Sequence, residues 1–356
     1  MEFCEITKDL WSYLKDQNRP VVIYGTGDGG DKIIDELDKR GMKALIQGVF
    51  ASPGFVRVGR TFRNFKVESY EDICARLSDF IVLVAFGSPL PDVLSYVYSI
   101  EEKRELYAPD VPVCGGEVFD TEFFNRNKER LEKVYSKLAD DISKKCFAGL
   151  VNYKLSGQIK YLRSCEVTPD EADSILGPFS ENSSFIDLGA YRGDTLTRFT
   201  KMFPVFSSAA AVEPDRHSFK KLTECAQEMS IPVTCVNALI SDSCGKAQIT
   251  VSRGRGTRAA SINTGHEIDK VTVDSLEAAV SAGFIKFDVE GSELAAIEGA
   301  RKTIAGRKPQ MKIACYHKSA DLFGIPEKVF EIRDDYRIFM RHTPCIPGWD
   351  VDYYFL

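Results

Sequence analysis

The chain has 356 residues, with 46 Lys and Arg against 52 Asp and Glu, a net charge of −6, and 44% hydrophobic and 28% charged residues. This is the balance of a globular protein of two or three domains, and its acidity argues against a nucleic-acid partner, which needs a dense basic surface. Ten scattered cysteines without a CxxC pair argue against a disulfide framework or a metal site, and no apolar run reaches membrane-spanning length, so the chain reads as soluble and cytoplasmic, with no membrane partner.

Phe3, Ile6, Leu10 and Leu14 fall at helical spacing and predict a short helix over 3–17. The stretch VVIYGTGDGGDKII follows as strand, glycine turn and helix, with Gly25, Gly27 and Gly30 in GxGxxG spacing. Further strands are expected at Leu45–Phe50 and Ile81–Phe86, and their alternation with helices predicts a parallel sheet. The second strand region runs into QGVFASPG and offers no carboxylate for an adenosine ribose, which weakens a dehydrogenase reading. Residues 1–116 are therefore expected to form a Rossmann-like α/β domain with two roles open. One is binding of a nucleotide or nucleotide-sugar at Gly25–Gly30; the other is simply presenting the enzyme domain behind it.

Residues 117–180 read as a helical connector. Phe123, Phe124, Leu131, Val134, Leu138 and Ile142 are expected on one stripe, either packing the domains together or forming a lid. A second alternation fills 181–356, with strands expected at Ser184–Leu188, Ala209–Glu213, Val233–Asn237, Phe284–Val289 and Lys312–Tyr316. Two more at the carboxy-terminal end would close a sheet edge.

Chemistry concentrates in this second domain. In FIDLGAYRGDTLTRF, a strand ends at Asp187, and Gly189 and Gly193 precede a helix whose free N–H groups face the turn. The next strand, AAAVEP, ends in Glu213, placed where doubly wound sheets bind ribose hydroxyls. The turn lacks the spacing that cradles a pyrophosphate, so a phosphate-free nucleoside fits better than a dinucleotide, and S-adenosylmethionine is such a nucleoside. In FIKFDVEGSELAAIEGA, strand alternation puts Lys286, Asp288 and Glu290 on one face, either as an internal ion pair or open to a ligand crevice. Arg253, Arg255 and Arg258 lie in a glycine-rich loop that is either solvated or grips an acidic acceptor.

From about Phe185 to Leu356 the sequence resembles the FkbM-type methyltransferases. The resemblance rests on FIDLGAYRGDT, AVEPD at 211–215, VTVDSL at 271–276, IKFDVEGSELAAIEGA and KIACYHK at 312–318. It implies a Rossmann-like class I methyltransferase domain, with a doubly wound, mostly parallel sheet and S-adenosyl-L-methionine as cofactor. The implied cofactor contacts are Asp187, Gly189, Ala190 and Glu213, with Tyr191, Gly193, Pro214 and Asp288 in the same stretches and adenine near Asn237 and Ala238. Tyr191–Arg192 departs from the smaller or asparagine-containing pair that many members of this family carry after the glycine. The implied reaction is methyl transfer to a hydroxyl of a sugar, glycan or other small molecule; the arginine-rich loop would suit a nucleotide-linked acceptor. Asp288, His317 and Glu290 are the candidates to take the hydroxyl proton, with no metal required. A non-catalytic nucleotide-binding scaffold on the same fold is the alternative, and association of two chains stays open.

Overall fold

The computed structural model describes residues 3–251, 257–259 and 266–356. They divide into two compact units. The first comprises residues up to Tyr135, Asp140–Pro169 and Arg341–Val351; the second comprises Ser136–Ala139, Asp170–Met340 and Asp352–Leu356.

The strands of the first unit are β1 (Val21–Tyr24), β2 (Ile46–Phe50), β3 (Thr61–Phe62), β4 (Phe65–Glu68), β5 (Ile81–Val84) and β6 (Leu106–Tyr107), in the order β3-β4-β2-β1-β5-β6. All neighbouring pairs are parallel except β3 with β4. The central strands VVIY and IVLV are buried throughout, which explains their unbroken apolar character. Ile33, Ile34 and Leu37 of the helix Asp28–Lys39 pack with Val21, Ile23, Val49, Ile81 and Leu83. The first helix is shorter than expected, Leu10–Lys15, because Asp9 caps it by accepting from the Ser12 amide.

The stretch expected as a connector is folded into five helices, Thr121–Arg126, Lys128–Lys137, Asp141–Ser156 and the short Lys160–Arg163 and Pro169–Asp173. Asp120 and Asp140 each cap a following helix. The single apolar stripe does not form: the breaks between helices reset the phase, and Ile142 ends up exposed while Phe123, Phe124, Leu131 and Val134 are buried. Most of these helices belong to the first unit rather than standing apart from it.

The second unit contains β7 (Ser184–Leu188), β8 (Ser208–Val212), β9 (Val233–Val236), β10 (Leu239–Ile240), β11 (Gly245–Val251), β12 (Thr257–Ala259), β13 (His266–Val271), β14 (Ala282–Phe287), β15 (Gln310–Ala314), β16 (Ile338–His342) and β17 (Val351–Phe355). Its main sheet has the order β16-β17-β15-β14-β7-β8-β9, and β10-β13-β11-β12 form a separate small sheet. From β7 the chain winds outward through β8 and β9, then returns to β14 on the other side. The topological switch point therefore lies between β7 and β14, and the crevice outside their carboxyl ends is where open α/β sheets bind ligands. β17 runs antiparallel to β15. Phe179, Phe185, Phe199, Phe206 and Phe284 cluster around the amino-terminal ends of β7 and β14, with the Phe185 and Phe284 rings stacked at 5.1 Å. Each buried ring contributes about 1.5–3 kcal/mol, so hydrocarbon anchors one end of the strands and the charged residues collect at the other.

Candidate active site

Two turns build the first wall of the crevice. Asp187 and Ala211 are register partners on β7 and β8, so Asp187 and Glu213 stand at the carboxyl ends of adjacent strands. After β7 the backbone turns at Gly189, with φ +76°, and a Cβ there would meet the Asp288 carbonyl oxygen at 1.8 Å. No residue but glycine fits. Tyr191 also adopts a left-handed φ of 49°, and its amide donates to Glu213 Oε2 at 2.8 Å. Glu213 Oε1 accepts from the Asp215 amide at 2.8 Å, so two backbone donors fix the carboxylate. Asn237 Nδ2 donates to the Glu213 and Pro214 carbonyl oxygens at 2.8 and 3.1 Å, tying the end of β9 to that of β8. Burial pushes Glu213 up to about 7. Asp187 is fully buried, neither carboxylate oxygen has a hydrogen-bond partner, and burial pushes it up to about 6 against the pull of Lys286.

The second wall follows β14. Lys286 is the register partner of Asp187, and its Nζ lies 3.6 Å from Asp187 Oδ1 and 3.2 Å from Asp288 Oδ2. It also donates to the Gly189 carbonyl at 3.4 Å. Burial alone would raise Asp288, but the Lys286 ammonium and His317 hold it below its ordinary value. β14 ends at Phe287, so the alternation expected to carry Lys286, Asp288 and Glu290 on one face stops there. Glu290 enters the turn through a left-handed φ of 52°, not through the pleat. His317, after β15, is completely buried. Its Nδ1 lies 2.9 Å from Glu293 Oε1, and its Nε2 lies 3.6 Å from both Asp288 Oδ1 and Glu290 Oε2. Burial would lower the imidazole, yet these three carboxylates, Glu293 foremost, raise it to about 9. Glu293 Oε1 also accepts from the Val289 and Gly291 amides at 3.0 and 3.3 Å. Tyr316 donates to Asp288 Oδ1 at 3.3 Å.

Residues 187–339 match the family described as the methyltransferase FkbM domain. The second unit carries an FkbM methyltransferase domain. The whole chain is also similar in fold to an FkbM methyltransferase from Methylobacillus flagellatus KT, at 21% identity and a TM-score of 0.73, over 95% of this chain and 90% of that one. The precorrin-6y C5,15-methyltransferase of Geobacter metallireducens is far less similar, at 9% identity and a TM-score of 0.32, over 50% of this chain and 80% of that one. No curated protein matches the sequence significantly.

The FkbM domain thus brings Asp187, Gly189, Tyr191, Glu213, Pro214 and Asn237 to one end of β7–β9, and Asp288, Glu290 and His317 to the same end of β14–β15. Ala190 and Ala238 are buried. Gly193 opens the helix Asp194–Met202 with φ +88°, and its α-carbon hydrogen faces Cys225, whose Sγ a Cβ would approach to 2.8 Å. Glu293 and Tyr316 are site residues that sequence reasoning missed. The signal for Glu293 was its place at the first turn of a helix directly after the DVEGS turn. Arg253 and Arg255 lie outside the described residues, as does the Arg258 side chain. In the first unit the Gly25 turn has φ +122° and packs on Phe86. Just beyond β5, Trp349 covers Gly87, where a Cβ would come within 2.0 Å of the indole. Among the described residues no helix is long and apolar enough to cross a membrane.

Proposed function

We propose that the FkbM domain transfers a methyl group from S-adenosylmethionine to a hydroxyl of a sugar, glycan or other small molecule. The observation that carries this reading is the pair of buried carboxylates, Asp187 and Glu213, at adjacent strand ends beside the switch point. The residues present fit the cofactor. Asp187 has two buried oxygens without a donor, and the Gly189 turn admits no side chain. Glu213 is held by two amides, which leaves lone pairs on both oxygens for ribose hydroxyls. A cation placed beside Asp187 favours its ionised form, as the methionine ammonium would.

When bound, S-adenosylmethionine supplies an electrophilic methyl group open to direct displacement. The chain's own part is to align the acceptor oxygen with that carbon and to receive the hydroxyl proton. Asp288 and Glu290, with side chains about a third open to the crevice, are placed for both tasks. A nucleotide-linked sugar is an acceptor that the Arg253–Arg258 segment would suit, since guanidinium groups recognise phosphate in a bidentate manner.

Titration calorimetry with S-adenosylhomocysteine tests the cofactor assignment. The wild type should bind it, and Glu213→Ala, which removes two charge-assisted hydrogen bonds, should weaken binding by about 3 kcal/mol, on the order of a hundredfold. Wild-type protein that binds no S-adenosylhomocysteine would sink the reading. Turnover is then sought with labelled methyl donor and a panel of free and nucleotide-linked sugars.

A further inference from the structure

We infer that His317 is a positioning residue: a buried imidazolium, clamped by Glu293 through Nδ1, that holds the Asp288 and Glu290 carboxylates at the crevice through Nε2. Glu293 is itself immobilised. It sits at the start of the helix Glu293–Glu298, with its side chain almost completely buried, and takes the Val289 and Gly291 amides on the oxygen nearest His317. The amides come from either side of Glu290, so one carboxylate shapes the turn that presents Glu290 and fixes the ring that faces it.

The charges around the ring come from every element packed on it. Glu293 approaches from the helix, Asp288 and Glu290 from the turn after β14. Asp321 comes from the helix Asp321–Ile332, accepting from the Lys318 amide at 2.9 Å; burial and nearby Glu293 push it up to about 7. The cations in this shell are Lys286, 3.2 Å from Asp288 Oδ2, and Lys318, whose Nζ is tied to the Gly291 carbonyl. Three carboxylates within 3.6 Å of a fully buried ring favour the imidazolium over the neutral imidazole. A charged ring carries a proton on both nitrogens, facing Glu293 at 2.9 Å on one side and the two crevice carboxylates at 3.6 Å on the other, as ion pairs rather than aligned hydrogen bonds. A ring in that state cannot accept a proton from a substrate hydroxyl. Its effect on methyl transfer passes through Asp288 and Glu290.

The inference rests on the methyl-transfer reading only for what the crevice binds; the charge of His317 is testable without any ligand. Nuclear magnetic resonance of imidazole-labelled protein reads it directly, with the His317 signal identified by its loss in His317→Gln. In the wild type this ring should stay charged through pH 8, and in Glu293→Gln its midpoint should fall by at least one unit. A wild-type ring that is neutral at pH 7, or a midpoint unmoved by Glu293→Gln, would overturn the assignment. The second readout is the ratio of S-adenosylhomocysteine dissociation constants, Glu293→Gln over wild type. It should grow about tenfold between pH 6.5 and 8.5, as the variant's ring loses its proton while the wild type's keeps it. A ratio constant with pH would mean that Glu293 only supports the fold and would also overturn the assignment. Should the variant fail to fold, the wild-type titration alone decides. Wild-type protein that shows the charged ring but binds no S-adenosylhomocysteine would separate the two claims, leaving His317 as assigned and removing the methyl-transfer reading.

Discussion

A buried carboxylate without a hydrogen-bond donor costs free energy in the unliganded protein, and Asp187 is such a group. Burial raises its pKa to about 6, and that of Glu213 to about 7. The folded state therefore binds more protons than the unfolded chain between about pH 4 and 7. Stability from these two groups is present below that window and declines as pH rises through it. Asp187→Asn removes one of them while keeping its shape. The variant should melt higher than wild type at pH 7.5, with the gap closing toward pH 4, yet bind S-adenosylhomocysteine more weakly. Calorimetric melts across pH check this, and a lower melting temperature for the variant at pH 7.5 would contradict it. Sequence reasoning reached Asp187 and Glu213 because strand ends followed by glycine or proline are local signals. It placed Glu290 by pleat alternation, and that failed because the left-handed backbone at Glu290 ends the period of two.

At the scale of elements, a row of polar side chains crosses the sheet. Asp187, Lys286, Lys312 and Tyr354 are successive register partners on β7, β14, β15 and β17. The far end of the row closes on Asp173, from the short helix Pro169–Asp173. Asp173 accepts from Lys312 Nζ at 2.9 Å and the Tyr354 hydroxyl at 2.7 Å, and Arg198 also reaches it. Burial would raise Asp173, but Lys312 and these hydrogen bonds hold it below the usual carboxylate range. Asp173→Ala leaves Lys312 with Asp352 at 3.4 Å and Arg198 with the exposed Asp170 at 3.0 Å as their remaining counter-charges, at a cost of about 3 kcal/mol. Urea unfolding should show that loss at pH 7 and a smaller one near pH 3, because the wild-type contribution is lost as acid protonates Asp173. Equal losses at both pH values would contradict the ion-pair account. The strands of this row were legible as apolar runs between turn residues, whereas the row itself was not. Register between strands as far apart in the chain as those of Asp187 and Lys286 leaves no local trace in the sequence.

For the molecule as a whole, the two sheets were readable from two separate runs of strand, glycine turn and helix, and the order of the second sheet agrees with the doubly wound expectation. The course of the carboxy-terminal chain was not readable. Residues Arg341–Val351 leave β16 and belong to the first unit before β17 returns to the second. In the first unit Ser88 and Ile346 exchange backbone hydrogen bonds of 2.9 and 3.2 Å. Arg341 donates to Asp140 Oδ2 at 2.6 Å and to Ser143 Oγ at 2.8 Å, and the Trp349 ring lies on Gly87. Nothing in a run such as HTPCIPGWD announces a partner some 260 residues earlier, since a loop closed over that distance is favoured only once both surfaces exist. Trp349→Ala removes a large ring from the backbone beyond β5 and should cost about 2–4 kcal/mol, depending on how far the site collapses. Because Gly87 follows β5, which pairs with β1 and β6, the loss should appear as faster amide hydrogen exchange in those strands. Exchange that quickens instead in β7 and β8, with β1 and β5 unchanged, would show that this segment belongs energetically to the other unit.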